Sequence, residues 1–293
     1  MENNQYAQST SMKQSFSGDL KKRVEGFGLK FFSSNTNNLL DLDQKSEESV
    51  TYVRQQIKPA FLVIETLRLN SHSKSDDNRN SEEIKNNWRK DLINQLLEKN
   101  SNDFVAYYQK IKSDINKIIK ELRNEKTLTD LKKKKFVNIN ENYKTKPTFL
   151  KNDRYNTKIN YALIDILEKN KKSLIIGEDI EDGNQYVSGS YGGAFKVTKN
   201  LNKLFPNRIF NTPISEAGIV GISAGYSIKA GRTFVELMFG DFSSLVFDQI
   251  LQHVTKFEIM YNGKVSCPLI IRTPMGGKRG YGPTHSQSIE KHF

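Results

Sequence analysis

Four stretches of this 293-residue chain combine residue types that could do chemistry. The first is Ser215-Glu216-Ala217-Gly218, after the extended Phe210-Asn211-Thr212-Pro213. Glu216 opens a helix rich in small residues (Gly218, Gly221, Ala224, Gly225), where the helix dipole favours a carboxylate and the glycines admit a close neighbour. Simple capping accounts for Glu216 equally well. The second is Thr284-His285-Ser286-Gln287, behind the glycine loop Gly276 to Gly282. A histidine there is no core residue and suits acid–base work near neutral pH. The third is Ser71-His72-Ser73-Lys74-Ser75-Asp76, a polar loop directly after an apolar run, and such strand ends carry sites in α/β folds. His72 and His285 also read as ordinary loop histidines. The fourth is Glu2-Asn3-Asn4-Gln5-Tyr6, whose oxygens suit a hard cation such as Mg²⁺.

The elements that must position these residues follow from the pattern. After a polar start, Asp19 caps a helix with Leu20, Val24 and Phe27 on one face. Gly26 and Gly28 stop it, and Leu29 to Phe32 reads as a strand. A helix from Asp41 to Ile57 ends at Pro59, and Ala60 to Ile64 reads as a strand buried on both faces. Asn80 and Glu83 signal a helix start, and Trp88, Leu92 and Leu96 follow at steps of four. Phe104, Tyr108, Ile111, Ile115, Ile118 and Leu122 then lie on one face of an amphipathic helix and read as core. Residues 127–152, with the run Lys132 to Lys135, read as a linker.

Beyond it, helices are expected at Ile159 to Leu167, Leu201 to Phe205, Glu216 to Ile228 and Phe242 to Met260. Strands are expected at Ser173 to Ile176, Arg208 to Thr212, Phe234 to Phe239 and Pro268 to Arg272, with a glycine-rich loop from Gly183 to Gly193. This alternation predicts an α/β protein with a parallel sheet in each half, flanked by helices. The second sheet reads as unfinished at Phe293.

Composition narrows the function classes. The net charge of +12 rests on lysines scattered among abundant Asn and Ile, which fits a basic surface suited to an acidic partner, with no nucleic acid expected. No apolar run is long enough to span a membrane, and MENNQYAQST is no secretory signal. The single cysteine, Cys267, precludes an internal disulfide, fits a reducing compartment and reads as a core thiol. No CxxC, HExxH or Walker loop is present.

These stretches resemble, in order, the thiamine-diphosphate-dependent 2-oxo acid dehydrogenases of the pyruvate and branched-chain type. Glu2-Asn3-Asn4-Gln5-Tyr6-Ala7 resembles the end of the family's diphosphate motif, whose Gly-Asp-Gly start is absent here. FLVIETLRLNSHSKSDD resembles the alpha-part segment with the active-site His, although Ser71 stands where the family has Gly. The beta-part series matches more closely: Gly177-Glu178-Asp179, Gly192 to Thr198, Thr212 to Gly218, Glu236 to Phe242, Asp248-Gln249, Arg272-Thr273-Pro274 and His285 to Ser288.

The resemblance implies a thiamine-diphosphate-binding fold in three parts. Residues 1–126 would be the C-terminal part of an alpha-type diphosphate-binding domain, 127–152 a linker, and 153–293 a truncated transketolase-like pyrimidine-binding domain. It implies a fused alpha-beta chain incomplete at both ends. The implied cofactors are thiamine diphosphate and Mg²⁺, with Asn4 and the Tyr6 carbonyl on the metal. Glu216 would meet the aminopyrimidine, Ile214, Met238 and Phe242 would surround the cofactor, and His72 and His285 would serve the substrate. The implied reaction is oxidative decarboxylation of a 2-oxo acid with acyl transfer to the lipoyl group of a dihydrolipoyl acyltransferase. A homo-oligomer of fused chains would carry it out, in a bacterial cytoplasm or a mitochondrial matrix. The alternatives are another transketolase-like thiamine-diphosphate enzyme and a non-catalytic, partner-binding fragment.

Overall fold

A computed structural model describes residues 1–73, 77–99, 102–125, 154–182, 191–278 and 280–293. The chain divides into two compact units, residues 1–139 and 140–293. The expected linker lies outside the described residues, as does most of the glycine-rich loop.

The first unit is built on a three-stranded parallel sheet of order β1-β3-β2. Its strands are β1 (Glu2–Asn3), β2 (Lys30–Asn35) and β3 (Ala60–Glu65). The expected polar start is thus a short strand, with Glu2 opposite Ile64 and Asn3 opposite Glu65. The turn α1 (Met12–Ser15) is followed by α2 (Leu20–Gly26), where the Asp19 carboxylate accepts from Lys22 N–H as the sequence predicts. Helix α3 (Leu39–Gln56) lies against β2 and β3. Only Val63 of β3 is buried, so the expectation of a strand covered on both faces is not met.

The expected run through Trp88, Leu92 and Leu96 is two helices, α4 (Ser81–Lys90) and α5 (Leu92–Glu98). Asp91 takes an extended conformation (ψ 126°) and its carboxylate accepts from Asn94 N–H at 3.0 Å, so it caps a new helix rather than continuing the old one. Helix α6 (Asn102–Asn124) forms as its periodicity predicts, but none of its residues is buried. Ile111, Ile115, Ile118 and Leu122 stay exposed among the described residues, which corrects their reading as core.

The second unit carries a four-stranded parallel sheet of order β5-β4-β6-β7. Its elements are α7 (Tyr155–Lys169), β4 (Leu174–Gly177), α8 (Leu201–Leu204), β5 (Ile209–Asn211), α9 (Glu216–Lys229), β6 (Thr233–Glu236), α10 (Phe257–Met260) and β7 (Leu269–Arg272). The two-residue period of a strand sorts the core into two layers. Ile175 and Phe234 face Leu163 and Leu167 of α7, while Ile176 and Val235 face Ile219 and Val220 of α9. Arg208 ties the first layer by donating to the carbonyls of Leu167, Asn170 and Ser173.

The second unit departs from the sequence expectations at three places. Strand β6 stops at Glu236, short of Phe239. The helix expected from Phe242 to Met260 is a 3₁₀ segment (Gly240–Val246), a π-helical segment (Gln249–Val254) and α10. Side-chain hydroxyls compete for the backbone carbonyls there: Ser243 donates to Gly240 C=O at 2.6 Å and Thr255 to Ile250 C=O at 3.0 Å. Cys267 is half-buried rather than a core thiol, with its Sγ 3.8 Å from Ala224 C=O. No helix among the described residues is long and apolar enough to cross a membrane.

Candidate active site

In the second unit, parallel pairing brings polar residues to the C-terminal edge of the sheet, where α/β folds hold their ligands. Gly177 pairs with Asn211 on one side and with Glu236 on the other. A Cβ at Gly177 would lie 2.5 Å from the Glu236 carbonyl, so only glycine lets β4 and β6 run this close. Glu178 therefore leaves β4 beside the end of β6.

Glu216 begins α9 and is only 9% exposed. Among the described residues no hydrogen-bond donor reaches its carboxylate, and Ser215 makes no side-chain cap. It is thus a largely buried residue at a positive helix end whose carboxylate takes no protein donor among the described residues. Burial, then the negative charges of Asp179 and Glu216, push the Glu178 carboxyl above its ordinary range. The two carboxylates therefore share one electrostatic neighbourhood.

Glu236 is 8% exposed and forms an ion pair with Arg272 of the neighbouring β7. Burial drives its carboxyl up to about 7, although the guanidinium pulls the other way. Neither Glu178 nor Glu236 stands out in the sequence as a site residue. Both sit within matched motifs, but their proximity depends on strand pairing rather than on spacing along the chain.

His285 is half-buried in an aromatic cluster. Phe239 and Phe242 stand edge-on to its ring, with centroids at 5.0 and 5.2 Å, and Tyr281 stands edge-on to Phe239 at 5.5 Å. The loop is tied down by Gln287 N–H donating to the buried Asp241 carboxylate at 3.1 Å. A side chain at Gly240 would collide with Met275, so glycine is required for the two loops to meet. The structure thus brings together Phe242 and His285. Met238 is half-buried, and Ile214 is largely exposed on the loop before Glu216.

In the first unit, Gln5 takes a left-handed conformation (φ 69°) and turns the chain, so that Asn4 Oδ1 accepts from Tyr6 N–H at 3.0 Å. Asn4 and Tyr6 are therefore adjacent in space. Two arginines that no sequence motif marks join this turn to the loop bearing His72. Arg68 donates to the carbonyls of Ala7 (2.8 Å) and Gln8 (2.7 Å). Arg79 donates to those of Arg68 (2.6 Å) and Asn70 (3.2 Å). Arg79 also pairs with Asp77 at 2.6 Å and holds that carboxyl down at about 2. The helix start signalled by Asn80 and Glu83 is met, with Asn80 capping α4, and Glu83 also accepts from the Tyr6 hydroxyl at 2.8 Å. His72 itself is exposed at the start of this loop. A cavity of about 600 Å³ in this unit is lined by Asn3, Gln5, Asp41 and Glu65, and includes neither Asn4 nor His72.

Each unit is a parallel sheet flanked by helices, the architecture that the resemblance to thiamine-diphosphate-binding proteins implies. Residues 154–293 match the family model of the transketolase pyrimidine binding domain, and residues 1–135 that of the dehydrogenase E1 component. The pyruvate dehydrogenase E1 component subunit beta of Leifsonia xyli subsp. xyli is 37% identical over 136 residues, covering 46% of this chain and 38% of that protein. The 3-methyl-2-oxobutanoate dehydrogenase subunit beta of Mycobacterium tuberculosis is 33% identical over 136 residues, 46% of this chain and 37% of the relative. The acetoin:2,6-dichlorophenolindophenol oxidoreductase subunit beta of Bacillus subtilis is 36% identical over 136 residues, 45% of this chain and 40% of the relative. The chain thus spans well under half the length of these curated relatives. Its first unit thus matches the dehydrogenase E1 component family and its second the transketolase pyrimidine binding domain, the two parts expected of a thiamine-diphosphate-dependent 2-oxo acid dehydrogenase component.

Proposed function

We propose that the chain serves in the oxidative decarboxylation of a 2-oxo acid, pyruvate or a branched-chain acid, with thiamine diphosphate and Mg²⁺ as cofactors. The observation that carries this reading is Glu216: buried, at the start of α9, and without a hydrogen-bond donor among the described residues. That carboxylate fits a ligand that brings its own N–H, as a protonated aminopyrimidine ring does. Thiamine diphosphate, when bound, supplies the carbanion-stabilising centre that lets CO₂ leave.

The chain's own residues do the rest. Glu216 accepts the ring N–H and holds the pyrimidine in place. Ile214, Met238 and Phe242 offer apolar surface beside it, which disfavours retained charge during loss of CO₂. His285 and His72 orient the substrate and move protons during acyl transfer. The Asn4 amide oxygen and the Tyr6 carbonyl are hard donors suited to Mg²⁺. The acyl acceptor in this proposal is the lipoyl group of a dihydrolipoyl acyltransferase, and the chain acts within an oligomer of its own kind.

The test is release of labelled CO₂ from carboxyl-labelled pyruvate and 3-methyl-2-oxobutanoate, with both cofactors present, for the chain and for Glu216→Gln. The proposal expects release that falls by about a hundredfold or more in the variant. Equal release by both chains would refute the role of Glu216.

A further inference from the structure

The His285 ring is held on three sides. Phe239 and Phe242 stand nearly perpendicular to it, at 85° and 79°. The third restraint is polar: Thr284 Oγ1 lies 2.9 Å from His285 Nδ1. The backbone at this point is fixed as well, since His285 N–H donates to Gly282 C=O and Gln287 N–H to Asp241. Thr284 Oγ1 has no other hydrogen-bond partner among the described residues, so its hydrogen is free to donate to Nδ1. A neutral imidazole that accepts at Nδ1 carries its proton on Nε2.

We propose that Thr284 is a positioning residue. Its hydroxyl donates to Nδ1, holds neutral His285 in the Nε2–H tautomer, and leaves that N–H as the donor available to a carbonyl or carboxylate oxygen of the substrate. The aromatic rings limit tilting of the imidazole, and the hydroxyl selects which of its two flipped orientations is kept. The link to the substrate rests on the reading of His285 given above, whereas the choice of tautomer does not.

Two measurements separate these layers. The first is long-range ¹H–¹⁵N correlation on the full chain with labelled histidine, at a pH where imidazoles are neutral. The chain has four histidines, so single replacements assign the signals. The Nε2–H pattern is expected for His285 in the native chain and in Thr284→Ser, and a mixture of tautomers in Thr284→Val. An Nδ1–H pattern in the native chain, or a Thr284→Val spectrum identical to it, would overturn the proposal. The second is labelled-CO₂ release, where Thr284→Val should lose about tenfold in kcat, the worth of one hydrogen bond, while Thr284→Ser keeps its rate. A tautomer change without any loss of kcat would overturn the link to the reaction and leave the cofactor reading of Glu216 standing.

Discussion

Replacing Glu236 with glutamine should remove a pH dependence from the stability of the second unit. Glu236 is buried at the end of β6, and burial raises its carboxyl from an ordinary 4.5 to about 7 despite Arg272. Below pH 4.5 the folded and unfolded chains both hold this proton. Between 4.5 and about 7 the unfolded chain releases it and the folded chain keeps it, so stability falls as the pH rises. Each pH unit of one-proton difference is worth about 1.4 kcal/mol, which makes the loss across this window about 3 kcal/mol. Above about 7 the curve levels.

Glutamine keeps the shape and an acceptor for Arg272 but cannot titrate, so its curve lacks this fall. Urea unfolding at a series of pH values, read by hydrogen exchange in peptides covering β4 and β6, follows the second unit alone. The difference between the two chains cancels the other titrating groups. Parallel curves for native and Glu236→Gln chains across this window would refute the assignment of a burial-raised carboxyl.

Other perturbations follow from the same geometry. Arg272→Met leaves Glu236 buried without its cation, so at pH 8 the second unit should lose about 3–5 kcal/mol, with recovery in acid, by the same denaturation experiment. Arg79→Leu removes the donors to the carbonyls of Arg68 and Asn70, so amide exchange across residues 68–73 should quicken while the α9 amides stay protected. Asp91→Ala removes the cap of α5 and should cost about 1 kcal/mol, read from the unfolding midpoint of the first unit. Leu167→Ala opens a cavity at a fully buried position and should cost about 2–5 kcal/mol in the second.

Features written in local spacing were legible before the structure. The Asp19 cap, the glycine-rich helix opened by Glu216 and the alternation of short apolar strands with helices all follow from residues near one another in sequence. Features set by distant partners were not. Asp91 divides two helices whose apolar residues keep a common period, so periodicity alone joins them. The exposed face of α6 carries a core-like pattern, and a pattern does not reveal whether anything covers it. Glu178 and Glu236 become neighbours only through the β4–β6 register. Arg68 and Arg79 matter through backbone carbonyls, which no side-chain motif encodes.

The central claim is that Glu216 is the carboxylate that receives the pyrimidine of thiamine diphosphate. Calorimetric titration of the purified chain with thiamine diphosphate and Mg²⁺, beside Glu216→Gln, tests it most directly. The account predicts binding to the native chain that weakens by about tenfold or more in the variant, as expected when a buried charged hydrogen bond is lost. Equal affinity in the two chains would contradict it.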